Sequence, residues 1–244
     1  MDTVESMAEH WMDGMLARLL DPDDALARKL RAACTFHVVP NMNPDGSVRG
    51  YLRTNACGAN LNREWANSGE GDALYEAPTP RRSPEVFFVL KEMDKVGCDF
   101  FLDVHGDEEL PHNFLAGAQG VAKWSPRHAK LLQTFAEAYN RANPDFGNLA
   151  YNYSNDAAGT ANLAIASDQI CQRFDCLSMT LEQPFKDVFD CQEPHAGYSP
   201  ARCRRLGAAT LDALASVVGN LRGPLEVDEA SLPMPESRGV QMGE

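Results

Sequence analysis

The chain has 244 residues, 44% of them apolar, with 22 basic and 35 acidic side chains and a formal charge of −13. Length and apolar share suit one α/β domain with a sizeable core. The charge argues against a general nucleic-acid or anionic-membrane binder, and no run approaches the ~18 apolar residues of a membrane span.

The opening MDTVESMAEH is acidic and lacks the basic start and apolar run of a secretory signal, so a cytoplasmic location is expected. Seven cysteines (Cys34, Cys57, Cys98, Cys171, Cys176, Cys191 and Cys203) are scattered with no CxxC pair. That is a poor disulfide framework and a poor zinc knuckle. They are expected to behave as small core hydrophobes.

In chain order, Met7, Trp11, Met12, Met15, Leu16 and Leu19 recur at helical spacing and predict a helix over 5–20. Asp21-Pro22-Asp23-Asp24 is a turn and a cap for a second helix over 23–33. Cys34 to Val39 reads as a buried strand, and Asn41 to Gly46 as a turn. From Ser47 to Pro80 the chain is polar and weakly periodic, a length of loop that is usually functional or disordered; it carries Arg49, Arg53 and Arg63. Ser83-Pro84-Glu85 opens a helix to about Val96. A strand follows over 98–104, then a short one near Asn113–Ala116. Ser125-Pro126 opens a helix to about Ala142, with Leu131, Leu132, Phe135 and Tyr139 on one face. A polar loop over 143–160 carries Tyr151 and Tyr153. A helix over 161–174, a strand over 176–181 and a last helix over 200–221 complete the pattern. Helices alternating with strands predict an α/β fold with a mixed, partly parallel central sheet flanked by helices.

Two strand ends carry chemistry. The stretch CDFFLDVHGDEE delivers His105 among acids, and the strand over 176–181 runs into Glu182. In open α/β sheets, ligands gather at the carboxyl ends of strands. A third candidate is Glu5 at the start of the first helix, with Asp2 three residues earlier. Zinc takes histidine nitrogen and carboxylate oxygen, and a catalytic site keeps one position open beside three protein ligands. A carboxylate nearby is then suited to general-base work, a role Glu182 could fill; composition alone favours a plain surface acid there. A planar guanidinium grips a carboxylate through a bidentate fork. Asn62-Arg63 could therefore hold an anionic group, and Arg53 could stabilise a developing oxyanion. Loop arginines are more often only solvated charge.

Four stretches in order carry a resemblance: Asn43-Pro44-Asp45-Gly46, Gly58 to Trp65 (GANLNREW), Asp103-Val104-His105-Gly106, and Thr180 to Asp187 (TLEQPFKD). Together they resemble the zinc carboxypeptidases of the carboxypeptidase A type, and most closely their cytosolic carboxypeptidase branch. The resemblance runs from about Glu5 to Leu221. It implies a carboxypeptidase-like α/β sandwich lacking its first strands, a catalytic domain over 1–222 that is incomplete at its N-terminus, and a flexible tail over 223–244. It implies zinc as cofactor and a peptide or protein C-terminus as substrate, with no nucleic acid and no membrane as partner.

The resemblance also implies roles. His105 and Glu5 would be zinc ligands. Glu182 would be the general base and acid, activating the water on the metal and protonating the leaving amine. Asn62 and Arg63 would bind the substrate carboxylate. Arg53 would stabilise the oxyanion, with Arg49 as the alternative. Tyr153 or Tyr151 would close over the substrate. Arg173 and Lys186 are candidates for a cationic side-chain pocket. One position departs from the family pattern: Asp2 stands where the family's H-x-x-E motif has its first histidine, so the third ligand would be an aspartate oxygen. Two other readings stay open at this stage, a metal-impaired relic that still binds peptide C-termini and a zinc-dependent deacylase of a carboxylate-bearing amide.

Overall fold

The sheet is built from three strands, β1 (Phe100–Asp107), β2 (Phe114–Gly117) and β3 (Leu177–Pro184), in the order β1-β3-β2. A computed structural model gives the arrangement and describes residues 5–67, 77–147, 156–188 and 197–222. β1 and β3 run parallel, with Phe100 opposite Leu177 and His105 opposite Glu182, while β2 pairs antiparallel with β3. Every residue of β3 is buried, as expected for a central strand covered on both faces.

Alternation along the strands sorts their side chains onto two faces. Phe100, Leu102 and Val104 of β1 and Leu177, Met179 and Leu181 of β3 join the main core. On that side lie α1 (Ser6–Leu20), α2 (Ala25–Ala33), α5 (Pro126–Ala142) and α7 (Pro200–Val217), which contribute Trp11, Leu30, Phe135 and Leu206. A buried hydrogen-bond chain ties three of these helices: Trp11 Nε1 donates to Tyr139 Oη at 2.9 Å, and Tyr139 Oη donates to the Leu206 carbonyl at 3.0 Å. The opposite face carries Phe101, Asp103, His105 and Asp107 of β1, and Ser178, Thr180 and Glu182 of β3, by the same alternation. There α4 (Pro84–Val96) and α6 (Ala166–Phe174) pack with Leu61 and Trp65 to form a second cluster around Val86, Leu90 and Ile170. The hydroxyls on this face are satisfied by α6: Ser178 Oγ donates to the Ser167 carbonyl at 2.7 Å, and Thr180 Oγ1 to Ser167 Oγ at 3.1 Å.

The mixed α/β class, the partly parallel sheet and its flanking helices are as the sequence predicts. Several elements differ in detail. Residues 34–39 alternate half-buried (Cys34, Phe36, Val38) and exposed (Thr35, His37, Val39) like a strand, but pair with no strand among the described residues. Local pattern sets an extended backbone, whereas a ladder also needs a partner. The turn signal at Asn43-Pro44 opens a short helix instead, α3 (Pro44–Arg49), with Asn43 accepting from Gly46 N and Pro44 in the first turn. The same residue types serve turns and caps, so composition alone does not separate them. α6 begins at Ala166 rather than 161. Both parallel strands run three rungs further than expected, so His105 and Glu182 sit inside the ladder and not in a loop after it. Ser83 precedes α4 as predicted, but its hydroxyl donates to the Glu64 carboxylate at 3.0 Å and does not cap the helix. Among the described residues no helix is long and apolar enough to cross a membrane.

Candidate active site

The polar residues on the α6 face of β1 and β3 converge at the carboxyl ends of the two strands. Parallel pairing sets His105 beside Glu182. Glu5, at the N-cap position of α1, makes no capping bond with its side chain. Its Oε1 instead lies 3.2 Å from His105 Nδ1, with both side chains buried. The other ring nitrogen, His105 Nε2, lies 2.9 Å from Asp103 Oδ2. His105 is thus held between two carboxylates supplied by different elements, one from its own strand and one from α1.

The electrostatics follow from this packing. Burial alone would lower the proton affinity of His105, but the adjacent Asp103 charge and the bonds to Asp103 and Glu5 outweigh it and raise the ring to about 10. Burial works in the opposite sense on Glu5 and Asp103; His105 overcomes it and holds both below the usual carboxylate range. Glu182 has no such hydrogen bond. Burial pushes it up to about 8, His105 opposes that, and the carboxylates of Glu5, Asp107 and Asp103 reinforce it. Glu182 Oε2 is buried with no hydrogen-bond partner. A carboxyl left unpaired beside a charged cluster costs stability, and such perturbed groups collect at functional sites.

Two donors of the kinds that zinc takes stand together here. One histidine nitrogen and one carboxylate oxygen face each other across 3.2 Å. Two ligand atoms on a tetrahedral zinc stand roughly 3.3 Å apart for metal bonds near 2.0–2.1 Å. With Nε2 engaged by Asp103, Nδ1 is the nitrogen that faces Glu5, and a carboxylate behind the ring is the usual support of a metal-bound histidine. In the metal-free chain a proton on His105 supplies the positive charge between these acids. Among the described residues no group of three His, Cys, Asp or Glu side chains is arranged to hold a metal ion. Asp2, the third ligand expected from the sequence, lies outside the described residues, as do Tyr151 and Tyr153.

The remaining sequence candidates sit on a second element. Asn62 and Arg63 lie in a 3₁₀ turn over Leu61–Arg63. Asn62 is buried, and its Oδ1 accepts from Ala166 N at 3.0 Å, which fastens the turn to the start of α6. The acceptor of its amide is therefore committed to the fold, and its NH₂ is the end with protons to give. Arg63 is exposed, with Nη1 donating to the Asn62 carbonyl at 2.6 Å. Arg53 is half-buried just before the Thr54–Asn60 bridge that closes this loop. Glu64 of the same motif is structural: its carboxylate receives Arg82 Nη2 at 2.8 Å and the Ser83 hydroxyl. Arg49 faces the ring of Tyr51 at 6.0 Å. The candidates for a cationic pocket are committed elsewhere, Arg173 to Asp94 through two bonds of 2.6 Å and Lys186 to the Glu109 carbonyl at 2.9 Å.

Asp103 and Asp107 read in the sequence as supporting or surface acids and not as ligands; Asp103 is the partner of His105, on the same face of the strand by its two-residue spacing. Gly106 is a contribution the sequence reading missed. A Cβ there would come within 2.4 Å of Phe185 Cε1 and 2.8 Å of Met7 Sδ. The missing side chain lets α1 and the end of β3 close over the strand next to His105. Asp107, by contrast, accepts from Glu109 N at 2.8 Å and Leu110 N at 2.5 Å, so it shapes the turn.

Comparison with known proteins places the fold in a family. A metallo-carboxypeptidase from Pseudomonas aeruginosa, solved in complex with (2-guanidinoethylmercapto)succinic acid, superposes with a TM-score of 0.80 at 43% identity, covering 91% of this chain and 56% of that one. An uncharacterised protein of Zymomonas mobilis subsp. mobilis is 49% identical over 217 residues, 89% of this chain and 54% of the relative. Cytosolic carboxypeptidase 6 of Caenorhabditis elegans is 27% identical over 197 residues, 74% of this chain and 38% of that protein. The chain thus spans about half the length of the first two relatives. The family model described as zinc carboxypeptidase matches residues 3–198, a span that contains both Glu5 and the β1–β3 strand ends, and the chain belongs to that family.

Proposed function

We propose that this chain acts in hydrolysis of the C-terminal peptide bond of peptides or protein tails, with Glu182 as the group that moves the proton. One observation carries the reading: the parallel register that sets Glu182, with one buried and unpaired carboxyl oxygen, directly beside a histidine already bonded to Glu5. Glu5 and His105 would hold zinc, with Asp2 as the third candidate. When bound, zinc supplies Lewis acidity to the scissile carbonyl and makes water at the site easier to deprotonate. The chain's own residues do the rest. Glu182 takes the proton of the attacking water and passes it to the leaving amine. The Asn62 amide and the Arg63 guanidinium bind the terminal carboxylate, and the Arg53 guanidinium stabilises charge on the carbonyl oxygen. A succinic acid derivative bound to the Pseudomonas relative is in keeping with carboxylate recognition.

The test is metal content and amino-acid release from a peptide panel after zinc loading. Wild type should take up zinc and release C-terminal residues. Glu182→Gln should keep the zinc and lose activity by about 10²–10⁴-fold, the usual worth of a general acid–base. A zinc-loaded wild-type chain that releases nothing from any peptide would overturn the reading. It would favour a second one, binding of peptide C-termini without turnover, which the described residues also support because they bring together only Glu5 and His105 as ligands.

A further inference from the structure

The opposite, amino-terminal ends of the same two strands hold a pair of thiols. Cys98 stands two residues before β1 and Cys176 one residue before β3, and the first rung of the ladder joins Phe100 to Leu177. A bend at Asp99 takes Cys98 out of the strand's alternation and onto the side of Phe101, where Cys176 also packs. Both side chains belong to one apolar cluster, Cys176 in its buried part and Cys98 packed against it. Each thiol donates to a carbonyl, Cys98 Sγ to that of Phe100 at 3.4 Å and Cys176 Sγ to that of Ile170 at 3.7 Å. Paired strands lie about 4.8 Å apart, so residues at the starts of two such strands are near enough for the short Cα separation that a disulfide needs. Cys98 is half-buried and Cys176 fully buried, so an oxidant reaches Cys98 first.

We propose that Cys98 and Cys176 form a reversible peroxide-responsive thiol pair that closes a disulfide across the starts of β1 and β3. The reaction has two steps. The Cys98 thiolate attacks one oxygen of hydrogen peroxide, the O–O bond breaks, and the departing hydroxide takes up a proton to leave as water, with Cys98 as the sulfenic acid. The Cys176 sulfur then attacks the Cys98 sulfur, the S–O bond breaks, and a second water leaves with the thiol proton of Cys176. Two thiols are oxidised and one peroxide is reduced to two waters. The inequality of the two sulfurs supports this order: the neighbouring Cys176 sulfur holds Cys98 below the usual thiol range, and the neighbouring Cys98 sulfur, reinforced by burial, holds Cys176 far above it. A low-pKa, reachable thiol beside a resolving partner is the arrangement of a redox-sensing cysteine. This proposal stands apart from the hydrolytic reading, because its residues are at the other end of the strands.

Tryptic mapping of the whole chain tests it directly. Cleavage isolates Cys98 in peptide 96–123 and Cys176 in peptide 174–186, with no other cysteine in either. After one equivalent of hydrogen peroxide, these two peptides should appear joined, with two thiols lost per peroxide consumed, and dithiothreitol should separate them. Cys176→Ser should leave Cys98 as sulfenic and then sulfinic acid, with no joined peptide. Wild-type chain in which both thiols stay reduced, or in which Cys98 goes to sulfinic acid without joining 174–186, would overturn the proposal whatever the variant does.

Discussion

His105 sits 2.9 Å from Asp103 and 3.2 Å from Glu5, and the balance between those two acids decides what the ring can do. Asp103 fixes the ring by one nitrogen and raises its basicity, so the other nitrogen is presented toward Glu5. Replacing Asp103 with Asn keeps the shape and removes the charge. Zinc affinity should fall by about 10–100-fold, the usual worth of a carboxylate behind a metal-bound histidine, as read by competition with a chromophoric chelator. Unchanged affinity would mean that Asp103 does not support the ligand. A second prediction concerns Asp168 on α6, which burial, with help from the Asp156 charge, pushes up to about 7 from an ordinary 3.8. The folded value exceeds the unfolded one. Its contribution to stability is therefore fully present below about pH 4 and is lost as pH rises through about 7. Asp168→Asn should flatten that part of the profile, seen as a smaller drop in urea midpoint between those pH values than in wild type.

α1 is the element that delivers Glu5, and its position depends on two glycines. A Cβ on Gly14 would lie 1.9 Å from the Arg204 carbonyl oxygen of α7, and one on Gly207 the same distance from the Trp11 carbonyl oxygen of α1. The two backbones approach too closely for any side chain, and backbone cannot step aside as a flexible side chain can. Gly14→Ala should cost about 2 kcal/mol or more in urea unfolding, at the upper side of overpacking losses, whereas Gly219→Ala, with nothing near its Cβ, serves as a near-neutral control. The apolar stripe of α1 is plain in the sequence, from Trp11, Met15 and Leu19. The glycine contact is not, because its partner lies in a helix nearly two hundred positions away.

Across the whole molecule, the end of α5, the start of β2 and the start of α7 are locked by a buried ion pair. Arg202 Nε donates to Asp145 Oδ2 at 2.9 Å, Arg202 Nη2 donates to Asp145 Oδ1, and Asn113 Nδ2 donates to the Asp145 carbonyl at 2.9 Å. Arg202 is 3% exposed and Asp145 7%. Removing one member of such a pair leaves a buried, uncompensated charge and costs about 3–5 kcal/mol. Arg202→Ala should show that loss in chemical denaturation, and the double variant Arg202→Ala with Asp145→Ala should recover part of it. If the double variant is no better than the single one, the cost lies in packing and not in charge.

The sequence by itself determined the α/β class, the helices with strong apolar stripes, and the zinc carboxypeptidase resemblance, because these rest on local periodicity and on short contiguous motifs. It also singled out His105 and Glu182 as residues at strand ends. Only the tertiary structure decided that they share a rung, since parallel register joins positions 105 and 182 through pairing and not through spacing. It decided that Asp103 belongs to the site while Asp107 shapes a turn, and that Arg173 and Lys186 are already bound elsewhere, because a charged side chain looks the same in a sequence whatever it meets. It left residues 34–39 with the alternation of a strand but no pairing partner among the described residues. It also brought Cys98 and Cys176 into one apolar cluster at the starts of β1 and β3, a placement for which a count of cysteines gives no signal.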